Sequence, residues 1–201
     1  MRAQAAIGLL AALAGCQPGR DDTPPAPAES GVTASPSPAA TASHRKSGAG
    51  KAVLDAEGIA FAATAGKTGS IRFGTNRAIV DEAAARGLGR EGARTALGEC
   101  GAGAMEFTAY GALTLNYLDG KLVGWRAEEG APAVTTDGIR PGALLRDLMV
   151  ARSVRMIEDS TLEGEFDYLA ADGQTIGGFV LGLGRDARIA SLHAGTNCFF
   201  R

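Results

Sequence analysis

Six of the eight prolines, Pro18, Pro24, Pro25, Pro27, Pro36 and Pro38, crowd into residues 17–50 among Ala, Ser, Thr and Gly. No hydrophobic period runs through this stretch. It therefore cannot bury enough apolar surface to offset the entropy of ordering, and it is expected to be a disordered tether. As a flexible coil of about 34 residues it would reach roughly 30 Å, and its prolines would extend it further. Folding is thereby confined to residues 53–201, where one single α+β domain is expected, with residues 16–52 as the tether and the cysteine that starts it.

Upstream, Met1-Arg2 leads into an apolar run from Ala3 to Ala14 that closes on Leu13-Ala14-Gly15-Cys16. The run is shorter than the roughly 20 residues a spanning helix needs, and it suits the apolar region of a signal peptide over residues 1–15. The four closing residues resemble a lipobox, the site at which a bacterial signal peptide is cut and the new N-terminal cysteine is lipidated. The expectation is a lipoprotein held in the cell envelope by acyl chains on Cys16, palmitate among them. More than one chain gives stable rather than transient attachment. Gln17 follows the cysteine where aspartate would direct retention in enterobacterial sorting, so the expected location is the outer membrane, facing the periplasm. The basic step His44-Arg45-Lys46 reads as solvated charge on the tether.

A formal net charge of −2 with mixed signs along the chain leaves no electrostatic footprint for nucleic acid. With 45% hydrophobic residues but only 5% aromatic ones, the domain has material for one modest core of Leu, Val, Ile and Ala. Once Cys16 is lipidated, Cys100 and Cys198 are an even pair in an oxidising compartment, which predicts a disulfide. The alternative, a nucleophilic cysteine, needs an activating neighbour, and the histidines are only His44 and His193.

Two segments of the domain begin alike. Ser70-Ile71-Arg72-Phe73-Gly74 leads into a helical pattern from Asn76 that Gly87 is placed to end, and Gly138-Ile139-Arg140-Pro141-Gly142 leads into another from Ala143. Further on, Lys121-Leu122-Val123-Gly124-Trp125 matches Arg188-Ile189-Ala190-Ser191-Leu192. The two matches share offsets of 68 and 67, which predicts tandem helix-plus-strand-meander repeats over residues 70–130 and 138–201. Leu113-Thr114-Leu115-Asn116-Tyr117 alternates, Asp119-Gly120 is a two-residue turn, and Lys121 starts the return strand. In the second half Phe166 and Tyr168 alternate with Glu163, Glu165 and Asp167, read as the solvated face of an edge strand, and Asp172-Gly173 marks a turn. The class is α+β: a mainly antiparallel sheet with short helices on one face.

The helix entries at Phe73-Gly74 and Pro141-Gly142, the hairpin Leu113 to Trp125, and the closing Ala194-Gly195-Thr196-Asn197-Cys198 resemble a family of uncharacterised secreted bacterial lipoproteins over about residues 54–201. More loosely, a helix followed by a strand meander is similar in architecture to the outer-membrane assembly lipoprotein BamE and to the repeats of beta-lactamase inhibitory protein. That likeness is one of architecture alone and carries neither a function nor a site residue across.

Catalytic signatures are incomplete. Ser191 and His193 share a face of one strand, but no Gly-x-Ser-x-Gly elbow accompanies them. Two histidines, one in the tether, do not make a zinc site, and a straight acidic strand cannot cage calcium. Gly66-Lys67-Thr68 has Phe61 where a phosphate loop needs glycine, and Gly101-Ala102-Gly103 reads as a turn. No metal or cofactor is expected. Strand parity from the Asp119-Gly120 turn places Trp125 with Thr114 and Val123, opposite Leu115, Tyr117 and Leu122. If the latter face is the core, Trp125 is exposed and is the candidate partner-binding residue; the alternative is that it packs under a helix or the second repeat. The reading is a membrane-anchored, non-enzymatic module that binds a protein or another envelope component; the alternative is an extracytoplasmic hydrolase with its site near His193.

Overall fold

The computed structural model describes residues 51–61 and 69–199. Cys16 and its leader, the tether with His44-Arg45-Lys46, and Gly66-Lys67-Thr68 lie outside the described residues. The fold is α+β, and its main sheet has eight antiparallel strands. These are β4 (Ala93–Cys100), β5 (Gly103–Tyr110), β6 (Leu113–Leu118), β7 (Lys121–Glu128), β9 (Val154–Met156), β10 (Glu165–Leu169), β11 (Thr175–Leu181) and β12 (Arg188–Gly195). Their order is β4-β5-β6-β7-β12-β11-β10-β9, two four-stranded meanders joined through their last strands. Helix α1 (Arg77–Leu88) precedes the first meander and α2 (Leu145–Ala151) the second.

A second sheet escaped the sequence pattern. It consists of β1 (Ala52–Asp55), β2 (Gly58–Phe61), β3 (Gly69–Arg72) and β8 (Ala133–Thr135), ordered β3-β2-β1-β8 with β1 and β8 parallel. Leu54, Ile59 and Phe61 of this sheet, Val80 and Leu88 of α1 and Leu148 of α2 share one buried core with Leu115, Trp125, Phe166 and Leu192 of the main sheet. Each such side chain contributes about 1.5 to 3 kcal/mol on burial.

Local chemistry explains where α1 starts and stops. The Asn76 side chain accepts a hydrogen bond from the Ala78 N–H at 2.9 Å, satisfying one orphan donor of the first turn. Val80, Ala84 and Leu88, four residues apart, form the buried stripe. The helix runs past Gly87 and ends at Gly89, whose φ of 68° supplies the left-handed cap. Gly87 serves packing instead: a Cβ there would stand 2.5 Å from the Phe61 Cβ.

Other expectations shift by one element. Strand β10 is not an edge, because β9 pairs with it and sets Arg155 opposite Asp167 in an ion pair. Asp119 and Gly120 both have positive φ, 49° and 69°, as the expected tight hairpin turn requires.

The two helix entries are held by similar backbone hydrogen bonds. In the first, the Gly74 N–H donates to Leu122 O at 2.7 Å, Leu122 N–H to Thr75 O at 2.9 Å, and Arg77 N–H to Gly120 O at 2.8 Å. In the second, Gly142 N–H donates to Ile189 O at 2.7 Å, Ile189 N–H to Ala143 O at 2.9 Å, and Leu145 N–H to Ala187 O at 2.9 Å. Gly74 and Gly142 share a φ of 90°. Even the bulges correspond: Val123 is the extra residue of β7 against β6, and Ala190 the extra residue of β12 against β11. The register then sets Arg126 directly against His193, its own equivalent at offset 67. As in any antiparallel pair, the backbones of β7 and β12 have local two-fold axes perpendicular to the sheet, and one passes between Arg126 and His193.

Candidate functional site

The bulge at Val123 decides the fate of Trp125. Because β7 carries one residue more than β6 between Leu122 and Gly124, strand parity reverses, and Trp125 pairs with Leu115 on the core face. It is 0% exposed. Its indole N–H donates to Asp55 O at 2.7 Å, tying the small sheet to the large one. The expectation that Trp125 anchors a partner is therefore corrected: the ring is an internal strut. Nothing in the sequence marks the bulge, so simple alternation put the ring on the wrong face.

Ser191 and His193 do share a face, the one turned away from the helices, opposite Glu128 and Arg126 of β7. The imidazole stacks on Phe179 at 5.4 Å between ring centroids and meets the edge of Phe199 at 4.8 Å. The Arg126 guanidinium lies over the Phe199 ring, 5.8 Å from its centroid. Gly177 opposite His193 leaves room for the ring, since a Cβ there would stand 2.5 Å from Nε2. Burial pushes the His193 pKa down to about 4, with the Arg126 cation adding to the shift and Glu165 opposing it. Its Nδ1 is buried without a hydrogen-bond partner, so no serine or other nucleophile receives that nitrogen.

Phe199 reaches this spot on a C-terminal strap. Beyond β12, Thr196 O and Asn197 Oδ1 accept hydrogen bonds from the Asn116 amide of β6, at 3.1 and 2.7 Å. Cys198 then meets Cys100 at the end of β4, the sulfurs at bonding distance, 2.11 Å, and the Cα atoms 5.4 Å apart. The expected cysteine pair is thus brought together. It links the outermost strand of the first meander to the end of the last strand of the second.

On the opposite face, α1 is tied to its meander by a polar cluster that the sequence did not reveal. Asp81 is buried, and its carboxylate accepts from the Tyr117 hydroxyl at 2.8 Å and from Thr108 Oγ1 at 3.3 Å. It also pairs with Arg77 at 3.3 Å and Arg94 at 3.0 Å. Arg77 continues to Glu106 at 2.7 Å and lies over the Tyr117 ring. Burial first, then the Asp81 carboxylate, pushes the Tyr110 and Tyr117 hydroxyls far above the ordinary tyrosine range, so both stay protonated donors. Every member has partners; the cluster orients α1.

The surface feature best suited to hold something else lies in the second half. An open cavity of about 510 Å³ runs between the start of α2 and the ends of β9 and β11, lined by Leu145, Met156, Val180, Leu181, Leu183 and Ala187, with Glu163 as its charged rim. Leu181 is 70% and Leu183 88% exposed, unusual for leucines on a folded surface. In the sequence Leu181 and Leu183 read as the end of a strand that starts at Ile176; the strand stops at Leu181, and the glycines Gly182 and Gly184 carry Leu183 out into the connection. Among the described residues, no three or more His, Cys, Asp or Glu side chains are grouped to hold a metal ion, and no helix is long and apolar enough to cross a membrane. No family model, no curated protein and no solved structure matches the chain.

Proposed function

We propose that the protein is an envelope lipoprotein, anchored through acyl chains on Cys16 and facing the periplasm at the outer membrane, whose folded domain binds another protein or envelope component. The observation that carries the binding reading is the apolar groove beside α2, with Leu181 and Leu183 presented to solvent on its outer wall. Exposed leucines cost solubility unless a surface covers them part of the time, and a groove about 510 Å³ in volume takes a few apolar side chains of a partner. The rival reading, a hydrolase at His193, draws no support from the surroundings of the imidazole, enclosed by Phe179 and Phe199 with Nδ1 unpartnered.

A photo-crosslinking residue in place of Leu183, in intact cells, tests the reading. A discrete adduct that disappears when Leu181→Asp is added, with the melting temperature unchanged, is the expected result. Absence of any adduct at Leu183, alongside a hydrolytic activity abolished by His193→Gln in folded protein, would replace it with the rival. The anchor is tested separately: Cys16→Ser should release the protein from the membrane pellet, and retention at wild-type levels would remove the lipoprotein assignment.

A further inference from the structure

The two ends of the eight-stranded sheet are unequal. One edge is β9, three residues long; the other is β4, eight residues long. Every residue of β4 before Cys100 is exposed, and among the described residues no strand pairs with its outer side. Short edges, prolines and inward charges are the usual protection against strand addition. Ala93-Arg94-Thr95-Ala96-Leu97-Gly98 has no proline, and its one charged residue, Arg94, is paired with Asp81 of its own chain. The bulge that follows Leu97, where Gly98 and Glu99 together oppose Ala104 of β5, limits regular pairing to this segment.

Charge indicates what fits there. The segment carries a cation near its start, Arg94, and an anion just past its end, Glu99. Two copies of β4 running antiparallel bring the Arg94 end of each to the Glu99 end of the other, whereas parallel addition would oppose like charges. A two-fold axis through a continuous sheet keeps each side chain on its own face, so only residues of equal parity can stand opposite one another. Centring on Ala96 satisfies this. It sets Ala96 against Ala96, Thr95 against Leu97 and Arg94 against Gly98, with Glu99 adjacent. Centring on Thr95 would instead set Glu99 against Glu91. Arg94, 65% exposed, retains donors for Glu99 of a second copy while it pairs with Asp81. We infer that β4 is a self-association edge, on which a second copy of this chain adds its own β4 antiparallel about Ala96 to continue the sheet across both molecules.

Directly opposed residues of an antiparallel pair have Cα atoms about 4.5 to 5.5 Å apart, within disulfide range. The full chain carrying Ala96→Cys, expressed in cells and treated with a mild oxidant, should therefore form a dimer of twice the chain mass on a non-reducing gel. Ala93→Cys, whose symmetry mate stands about six residues, roughly 20 Å, further along the strand, should give at least tenfold less. Adding Glu99→Lys to Ala96→Cys should cut the dimer several-fold, because Arg94 then meets a cation. Equal crosslinking at positions 93 and 96 would mean random collision and would overturn the inference. An Ala96→Cys adduct with a chain of different mass would also overturn it, assigning the edge to another protein. No adduct at position 96, in protein whose Cys100–Cys198 pair is intact by thiol titration, would leave β4 as an unpartnered edge and refute self-association.

Discussion

The two halves of the main sheet share a backbone frame and differ in what fastens their helices to it. In both, a glycine at φ 90° turns the chain into a helix whose first N–H is held by the residue just before the last strand of the same meander, Gly120 or Ala187. In the first half the fastening is a satisfied polar cluster around Asp81 on a twelve-residue helix. In the second, α2 has seven residues, no side-chain cap, and two buried leucines, Leu145 and Leu148. Its polar tie comes from outside the helix proper, where Asp137 accepts from Arg152 at 2.7 Å and from the Ala171 N–H at 3.0 Å. The first helix is clamped over its strands, whereas the second leaves its flank open as an apolar groove with Met149 and Val150 exposed nearby. Repeating a frame thus fixes where helices begin, and side-chain chemistry decides which half presents a surface.

The link between the halves gives the largest expected effect. Bonding Cys100 to Cys198 closes a loop with a sequence separation of 98, for which loop-closure entropy predicts about 4 to 5 kcal/mol. Reduction, or Cys198→Ser, is expected to lower stability by up to that amount and to release the strap that carries Phe199 over His193. Thiol titration under denaturant, with denaturation curves of both redox forms, checks it. Two free thiols in protein alkylated on isolation, with an unchanged denaturation midpoint on reduction, would separate the halves covalently.

Trp125 and Leu192 occupy equivalent places at offset 67, both 0% exposed. Trp125→Ala should cost about 3 to 5 kcal/mol and Leu192→Ala about 2 to 5. The tryptophan is expected to be the more expensive of the two, because its loss also leaves Asp55 O without the indole donor. Equal costs in chemical denaturation would mean that the small sheet docks without that hydrogen bond.

Asp81→Ala and Asp137→Ala test the two fastenings against each other. Removing Asp81 strands the buried Tyr117 hydroxyl, while Arg77 keeps Glu106, and about 1 to 3 kcal/mol is expected. Asp137→Ala frees an arginine that can turn to water, so its cost should be smaller. Hydrogen exchange should report the first loss in α1 and its strands, and the second around α2.

These contrasts also show what the sequence carried. The Asp119-Gly120 hairpin was legible because turn chemistry is local. Trp125 was misplaced because one extra residue at Val123 reverses every later side chain, and no residue type announces a bulge. The small sheet was missed because Ala52-Val53-Leu54-Asp55 and Gly58-Ile59-Ala60-Phe61 are too short for a period to show. Asp81 looked like any helical carboxylate, since its partners Tyr110 and Tyr117 come from strands 29 and 36 positions away. The groove residues Leu181 and Leu183 stood in view, but only the fold shows that nothing covers them.

The subtlest contrast lies on the axis itself, where equivalent positions hold Arg126 and His193. With its folded pKa lowered to about 4, His193 is neutral in the native protein at neutral and mildly acidic pH. The unfolded chain takes up that proton as pH falls through about 6.5, so between there and about 4 the unfolded state binds more protons and stability declines. Below about pH 4 the native histidine protonates as well and the loss levels off, at an upper bound of about 3 kcal/mol for this shift. His193→Gln removes the titration while keeping a polar side chain against Phe179 and Phe199. Denaturation midpoints of both proteins from pH 7 to pH 4 should converge as pH falls, because carboxylates contribute alike to each and only the wild type loses stability through His193. Parallel curves would mean that water reaches the imidazole in solution, and that the strap does not seal the axis.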